Sequence, residues 1–162
     1  MANSEMNGDN QSSTRRSFLI GAAELAGVAL VSVVTPARAT PASMLAAIKK
    51  LTGGAPLRTG KVTVDIPPLV ENGNTVPMVV TVDSPMTAAD HVKAIHVFNE
   101  KNPETNVIDV RLGPQAGKAV ISTRIKLADS QQVMAVAEMS DGSFWSDSVD
   151  VIVTIAACVE GL

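Results

Sequence analysis

The sequence predicts an all-β fold, a sandwich of about seven strands with one short helix ahead of it, on three observations. Beyond residue 57, Val, Ile and Thr recur in short runs, the composition that suits a pleated, half-buried surface. Turn chemistry breaks those runs at regular spacing: Pro67-Pro68, Glu71-Asn72-Gly73-Asn74, Ser84-Pro85, Asn102-Pro103, Gly113-Pro114, Asp129-Ser130 and Asp141-Gly142. Little helical periodicity separates one run from the next.

Taken in chain order, residues 1–39 read as a leader rather than as folded structure. Thr14-Arg15-Arg16-Ser17-Phe18-Leu19 is a twin-arginine pattern, an apolar run follows from Leu19 to Val34, and Ala37-Arg38-Ala39 is a small-x-small cleavage site. Glu24 interrupts the run, which falls short of the ~20 apolar residues a spanning helix needs. The expectation is a removed export signal, a periplasmic protein beginning at Thr40, and no membrane attachment after cleavage. The twin-arginine route carries folded proteins, so a partner lacking its own signal could travel alongside.

Residues 40–56 form a short helical segment. Ser43 can cap a helix over Met44–Leu51, where Met44, Leu45, Ile48 and Leu51 share a face, and Gly53-Gly54 ends it. Residues 57–155 form the sandwich. Its expected strands are Val62–Ile66, Val76–Val82, Ala94–Phe98, Val107–Leu112, Ala119–Leu127, Gln132–Met139 and Phe144–Ile155. Asp141-Gly142 joins the last two as a hairpin. In the final strand Val149, Val151, Val153 and Ile155 alternate with Ser148, Asp150, Ile152 and Thr154, so the first set packs on the core. Strand number and spacing suggest an immunoglobulin-like sandwich, without the Cys…Trp…Cys hallmark of antibody domains.

Composition excludes several functions. With 13 Lys+Arg against 16 Asp+Glu and 2% aromatics, the chain has neither the basic surface nor the stacking platform that nucleic acid needs. One cysteine forms no internal disulfide and no four-thiolate zinc site. The five methionines after the leader, Met44, Met78, Met86, Met134 and Met139, read as core fillers. His91 and His96 read as ordinary surface or half-buried histidines, and the His and Met that usually follow a copper-binding cysteine are missing. No catalytic residue, metal site or cofactor is expected.

That leaves Cys158, near the chain's end in Ala156-Ala157-Cys158-Val159-Glu160-Gly161-Leu162. A free cysteine is often a small buried hydrophobe, and Ala157 and Val159 fit that reading. Its position favours exposure instead. At ~3.3 Å per extended residue, sulfur three residues beyond Ile155 stands ~10 Å from the sandwich, the geometry of an arm spanning residues 156–162. An unperturbed thiol ionises near ~8.5. Glu160 and the carboxylate of Leu162 disfavour the thiolate further, so activation would come from a protein that receives the tail.

Several blocks then show a family likeness: Glu71–Pro77, Asp83–Thr87, Val97–Pro103, Ser122–Ala128, Met139–Trp145 and Val151–Ile155 leading into the cysteine. Together with the leader, the chain resembles the SoxY family of thiosulfate-oxidation carrier proteins. The resemblance implies an immunoglobulin-like subunit that pairs with SoxZ in the periplasm. It implies that Cys158 carries pathway intermediates covalently, without turnover or cofactor of its own. A c-type cytochrome enzyme conjugates thiosulfate to it, a hydrolase releases sulfate, and the remaining sulfur is oxidised by a sulfur dehydrogenase or passed on while still attached. The family tail is glycine-rich, Gly-Gly-Cys-Gly-Gly, whereas alanine, valine and glutamate flank Cys158.

Two other readings stay open: a structural or protein-interaction sandwich with an incidental cysteine, and a thiol-dependent enzyme, for which no paired base is visible. For a partner face, the residues around Val80 and Val82 are the first expectation.

Overall fold

Thr40, not Ser43, caps the helix. In the computed structural model, which describes residues 39–157, α1 spans Pro41–Thr52. Proline suits a first helical position because it has no amide to leave unpaired. The Thr40 hydroxyl accepts from the Ser43 amide at 3.1 Å while the Thr40 amide donates to the Ser43 hydroxyl, a reciprocal cap. Gly53 takes φ 62° at the other end, a left-handed conformation that costs glycine little. Met44 and Ile48 are buried as expected, but Leu45 is 59% exposed, because it lies one position off the line that faces the sheet.

Nine strands follow: β1 Leu57–Arg58, β2 Val62–Asp65, β3 Leu69–Asn72, β4 Val76–Val82, β5 Val92–Asn99, β6 Asn106–Arg111, β7 Ala119–Ile125, β8 Gln131–Met139 and β9 Phe144–Ile155. They form two sheets. One runs β1-β9-β8-β5-β6, with β3 also on β9, and the other runs β2-β4-β7. Pairing is antiparallel except where β1 and β3 each lie parallel to β9.

The fold is the expected immunoglobulin-like sandwich, with two short strands added. β9 is long enough to pair with β8 along one edge and to take β1 and then β3 along the other. Phe144 and Trp145 face β1, and Ile152 to Ile155 face β3. Between them the chain crosses to the second sheet as β2, where the Val64 amide donates to Asp147 Oδ2 at 2.9 Å.

The core lies between the sheets, with Met78, Val80, Ile95, Val97, Val133 and Leu127 among its members. Val80 and Val82 are 0% and 4% exposed, so the face expected to receive a partner is the inner face of β4. A second, smaller core lies on the outer face of the larger sheet, where Met44 and Ile48 of α1 cover Phe98 and Val136. Helix on one side and sheet on the other leave β5 and β8 buried on both faces, which accounts for their nearly continuous apolar runs. In β9, Val149, Val151 and Val153 pack on the core. Ile155 does not: it is 65% exposed. Among the described residues, no helix is long and apolar enough to cross a membrane. The expected leader and cleavage site fall on residues outside the described ones, save Ala39.

Candidate functional site: the root of the tail

Ala156 and Ala157 follow β9, and the chain does not leave the sandwich at Ile155 as expected. The Gly73 amide donates to the Ile155 carbonyl at 2.8 Å, just beyond β3. The Leu127 amide, beyond β7, donates to the Gly73 carbonyl at 2.8 Å, and the Leu127 carbonyl accepts from the Ala157 amide at 3.0 Å. Three backbone segments distant in sequence are thereby tied at one point. Leu127 is fully buried and Ala157 is 6% exposed, whereas Ala156 between the bonded positions is exposed. The expected arm of residues 156–162 is thus held to the sandwich through Ala157. Cys158, Val159, Glu160, Gly161 and Leu162 lie outside the described residues.

Leu127 is itself held from the other side. Asn102 Nδ2 donates to the Lys126 carbonyl at 2.8 Å, and Asn102 Oδ1 accepts from the Ala128 amide at 3.0 Å and from Gln131 Nε2 at 2.9 Å. The amide side chain brackets Leu127, bonding the residue before it and the residue after it. The Asn102 carbonyl accepts from the Ala39 amide at 2.9 Å, and its own amide donates to Asn99 Oδ1 at 3.3 Å. Gln131 is buried, and its Oε1 accepts from the Lys101 amide at 2.8 Å.

Neither histidine lies at this root. His91 sits by the β8–β9 hairpin, where its amide donates to the Ser140 hydroxyl at 3.1 Å and its ring Nδ1 bonds the Thr87 carbonyl at 3.1 Å. His96 is level with Val136 and, across β8, with Ser146. At ~3.3 Å per residue, Ser146 is roughly 30 Å along β9 from Ile155. His96 is half-buried, with Nδ1 on the Asp109 carboxylate, whose other oxygen accepts from Asn106 at 2.7 Å. Its Nε2 is buried and, among the described residues, without a hydrogen-bond partner. Of the methionines, Met44, Met78, Met86 and Met139 are buried and Met134 packs against the helix-side core, as core fillers do. Among the described residues no three His, Cys, Asp or Glu side chains gather as a metal site would require.

Sequence reasoning missed Gly73, Leu127 and Asn102 as parts of the site. Gly73 and Asn102 read as turn residues and Leu127 as the end of a strand. Their association is a matter of segments meeting in space, and only their recurrence in the blocks that carry the family likeness hinted at it.

An immunoglobulin-like sandwich whose last strand runs into a pinned tail carrying the chain's one cysteine defines a class of thiol-bearing β-domain. The model of the sulfur oxidation protein SoxY matches residues 48–158, and the chain belongs to the SoxY family. The match ends on Cys158. Among solved structures, the chain is similar to the sulfur carrier protein SoxY from Chlorobium limicola f thiosulfatophilum, with 26% identity and a TM-score of 0.59 over 70% of this chain and 99% of that one. The superoxide reductase (neelaredoxin) from Ignicoccus hospitalis shares 18% identity with a TM-score of 0.53, over 71% of this chain and 94% of that one. At that identity the likeness is one of fold alone. No curated protein matches the chain in sequence.

Proposed function

We propose that the protein is a covalent sulfur carrier of thiosulfate oxidation, with Cys158 as its attachment point, and that it performs no turnover itself. The observation that carries this is the family match over residues 48–158, which closes on the chain's single cysteine. The twin-arginine leader supports a periplasmic site of action and SoxZ as the subunit that pairs with it.

In the reaction sequence, the Cys158 thiol and thiosulfate form an S–S bond, giving a cysteine S-thiosulfonate. The thiol proton goes to solvent and two electrons go to the c-type cytochrome enzyme. A hydrolase then adds water across the S–SO3 bond, releasing sulfate and two protons and leaving a cysteine persulfide anion. A sulfur dehydrogenase oxidises the persulfide sulfur while it remains attached, three waters supplying the oxygens of a new S-thiosulfonate and six electrons leaving to the dehydrogenase, with six protons going to solvent. The chain's own part is to hold the adduct, present it and exclude competing thiols, which one cysteine achieves by default. With both histidines positioned along the sandwich away from the root, the partner enzymes supply the base that ionises the thiol.

Loading tests the proposal. The full chain with its partner subunit, incubated with thiosulfate and the conjugating cytochrome, gains the mass of one thiosulfate at Cys158. Cys158→Ser gains none while keeping its fold and its partner. A normally loaded serine variant contradicts the proposal and moves the protein to the structural-module class.

A further inference from the structure

Gly73 has no side chain, and the structure leaves room for none. A Cβ there would lie 2.4 Å from the Leu127 carbonyl oxygen, 2.8 Å from the Ala157 amide nitrogen and 3.0 Å from Val153 Cγ1. The first two are backbone atoms, so no change of rotamer relieves the overlap. Gly73 is not among the glycines of positive φ, so the close approach of two other backbone segments, rather than a turn conformation, is what requires glycine here. Asn102 meets the same junction through its side-chain nitrogen and oxygen, which bond Gln131 and the residues flanking Leu127.

We propose that Gly73 and Asn102 are positioning residues for the Cys158 thiol. Asn102 fixes Leu127, Leu127 holds the Ala157 amide, and Gly73 leaves the gap through which the tail passes. The tether of the thiol is then rooted at Ala157, one peptide or about 3.8 Å from the Cys158 Cα, in place of three residues of free arm beyond Ile155. A short tether with a fixed root gives the thiol a higher effective concentration in an active site that docks against this end of the sandwich, at the expense of reach. An enzyme using the thiol must therefore approach the junction of residues 73, 102 and 127 itself. The use made of the thiol rests on the carrier reading; the pinned root does not.

The test uses the full chain, whose single cysteine makes alkylation unambiguous. In Gly73→Ala the Cβ displaces the tail. Hydrogen exchange at the Ala157 amide and iodoacetamide alkylation of Cys158 then both rise about fivefold or more, the release of one net hydrogen bond. Near-ultraviolet dichroism of Trp145, the only tryptophan and at the far end of β9, stays unchanged, which a merely structural role for Gly73 does not predict. Ala157→Pro removes the single amide that Leu127 accepts and raises alkylation in the same way, so the proposal stays testable if Gly73→Ala does not fold. Asn102→Ala gives a smaller increase in the same direction. Wild-type alkylation rates in folded Gly73→Ala and Ala157→Pro overturn the proposal. A chain whose Cys158 is never loaded, yet whose alkylation responds to Gly73→Ala, keeps the pinned root and loses the carrier reading. Normal loading with no response to either substitution does the reverse.

Discussion

Asn102 bonds through both its side-chain nitrogen and its side-chain oxygen, and its removal has a calculable cost. Three side-chain bonds are lost in Asn102→Ala, two of them to backbone groups beside a fully buried leucine. At about 1 kcal/mol net for each bond, urea unfolding should show a loss of about 2–3 kcal/mol. A loss below about 0.5 kcal/mol would mean that solvent replaces these bonds freely. At the opposite end of β9 the telling residue is Asp141. The Ser143 hydroxyl and amide, and then Arg58 and Lys61, hold its carboxyl below the ordinary aspartate range. A carboxyl with a lower pKa folded than unfolded stabilises the fold above the unfolded value, near ~3.9, and that contribution disappears as pH falls through the folded value. The stability difference between wild type and Asp141→Asn should therefore shrink from pH 6 to pH 2. A difference that is constant across that range would show that the hydrogen bonds to Ser143 do not depend on the charge.

The elements show which parts of the fold the sequence made legible. The bounds of β4 and β9 coincide with expectation because both are long runs of Val, Ile and Thr between strong turn residues. β1 and β3 escaped notice because two and four residues are too few to display alternation, and β3 buries only Val70. Helix α1 begins three residues early because Ser43 is the third residue of a reciprocal cap rather than the cap itself. The root of the tail was illegible for a different reason. It is made by backbone bonds between segments more than 20 residues apart, which no local pattern encodes. For the helix, Ile48 is 4% exposed against Phe98 and Val136, so Ile48→Ala should cost about 2–4 kcal/mol. Thr40→Ala, which breaks one half of the cap, should cost about 1 kcal/mol by the same urea titration. Equal costs for the two would place the helix outside the cooperative core.

At the scale of the molecule, β9 is the axis. Trp145 near its start lies beneath the Arg58 guanidinium and the Lys61 ammonium, at 5.8 and 5.2 Å from the ring centroid. At its far end the chain is tied to Gly73 and Leu127. Of the blocks that carry the family likeness, Glu71–Pro77, Val97–Pro103 and Ser122–Ala128 converge on the tail end. Met139–Trp145 lies at the other, joined through His91 to the loop that follows β4. The sandwich thus presents one end at the root of the tail, and the carrier proposal gives that end its purpose. The most direct test is the intact mass of the protein purified from its own cells while they oxidise thiosulfate, measured with and without a thiol reductant. The account predicts sulfur or thiosulfonate adducts that the reductant removes and that map to the peptide containing Cys158. An unmodified mass from such cells would contradict it.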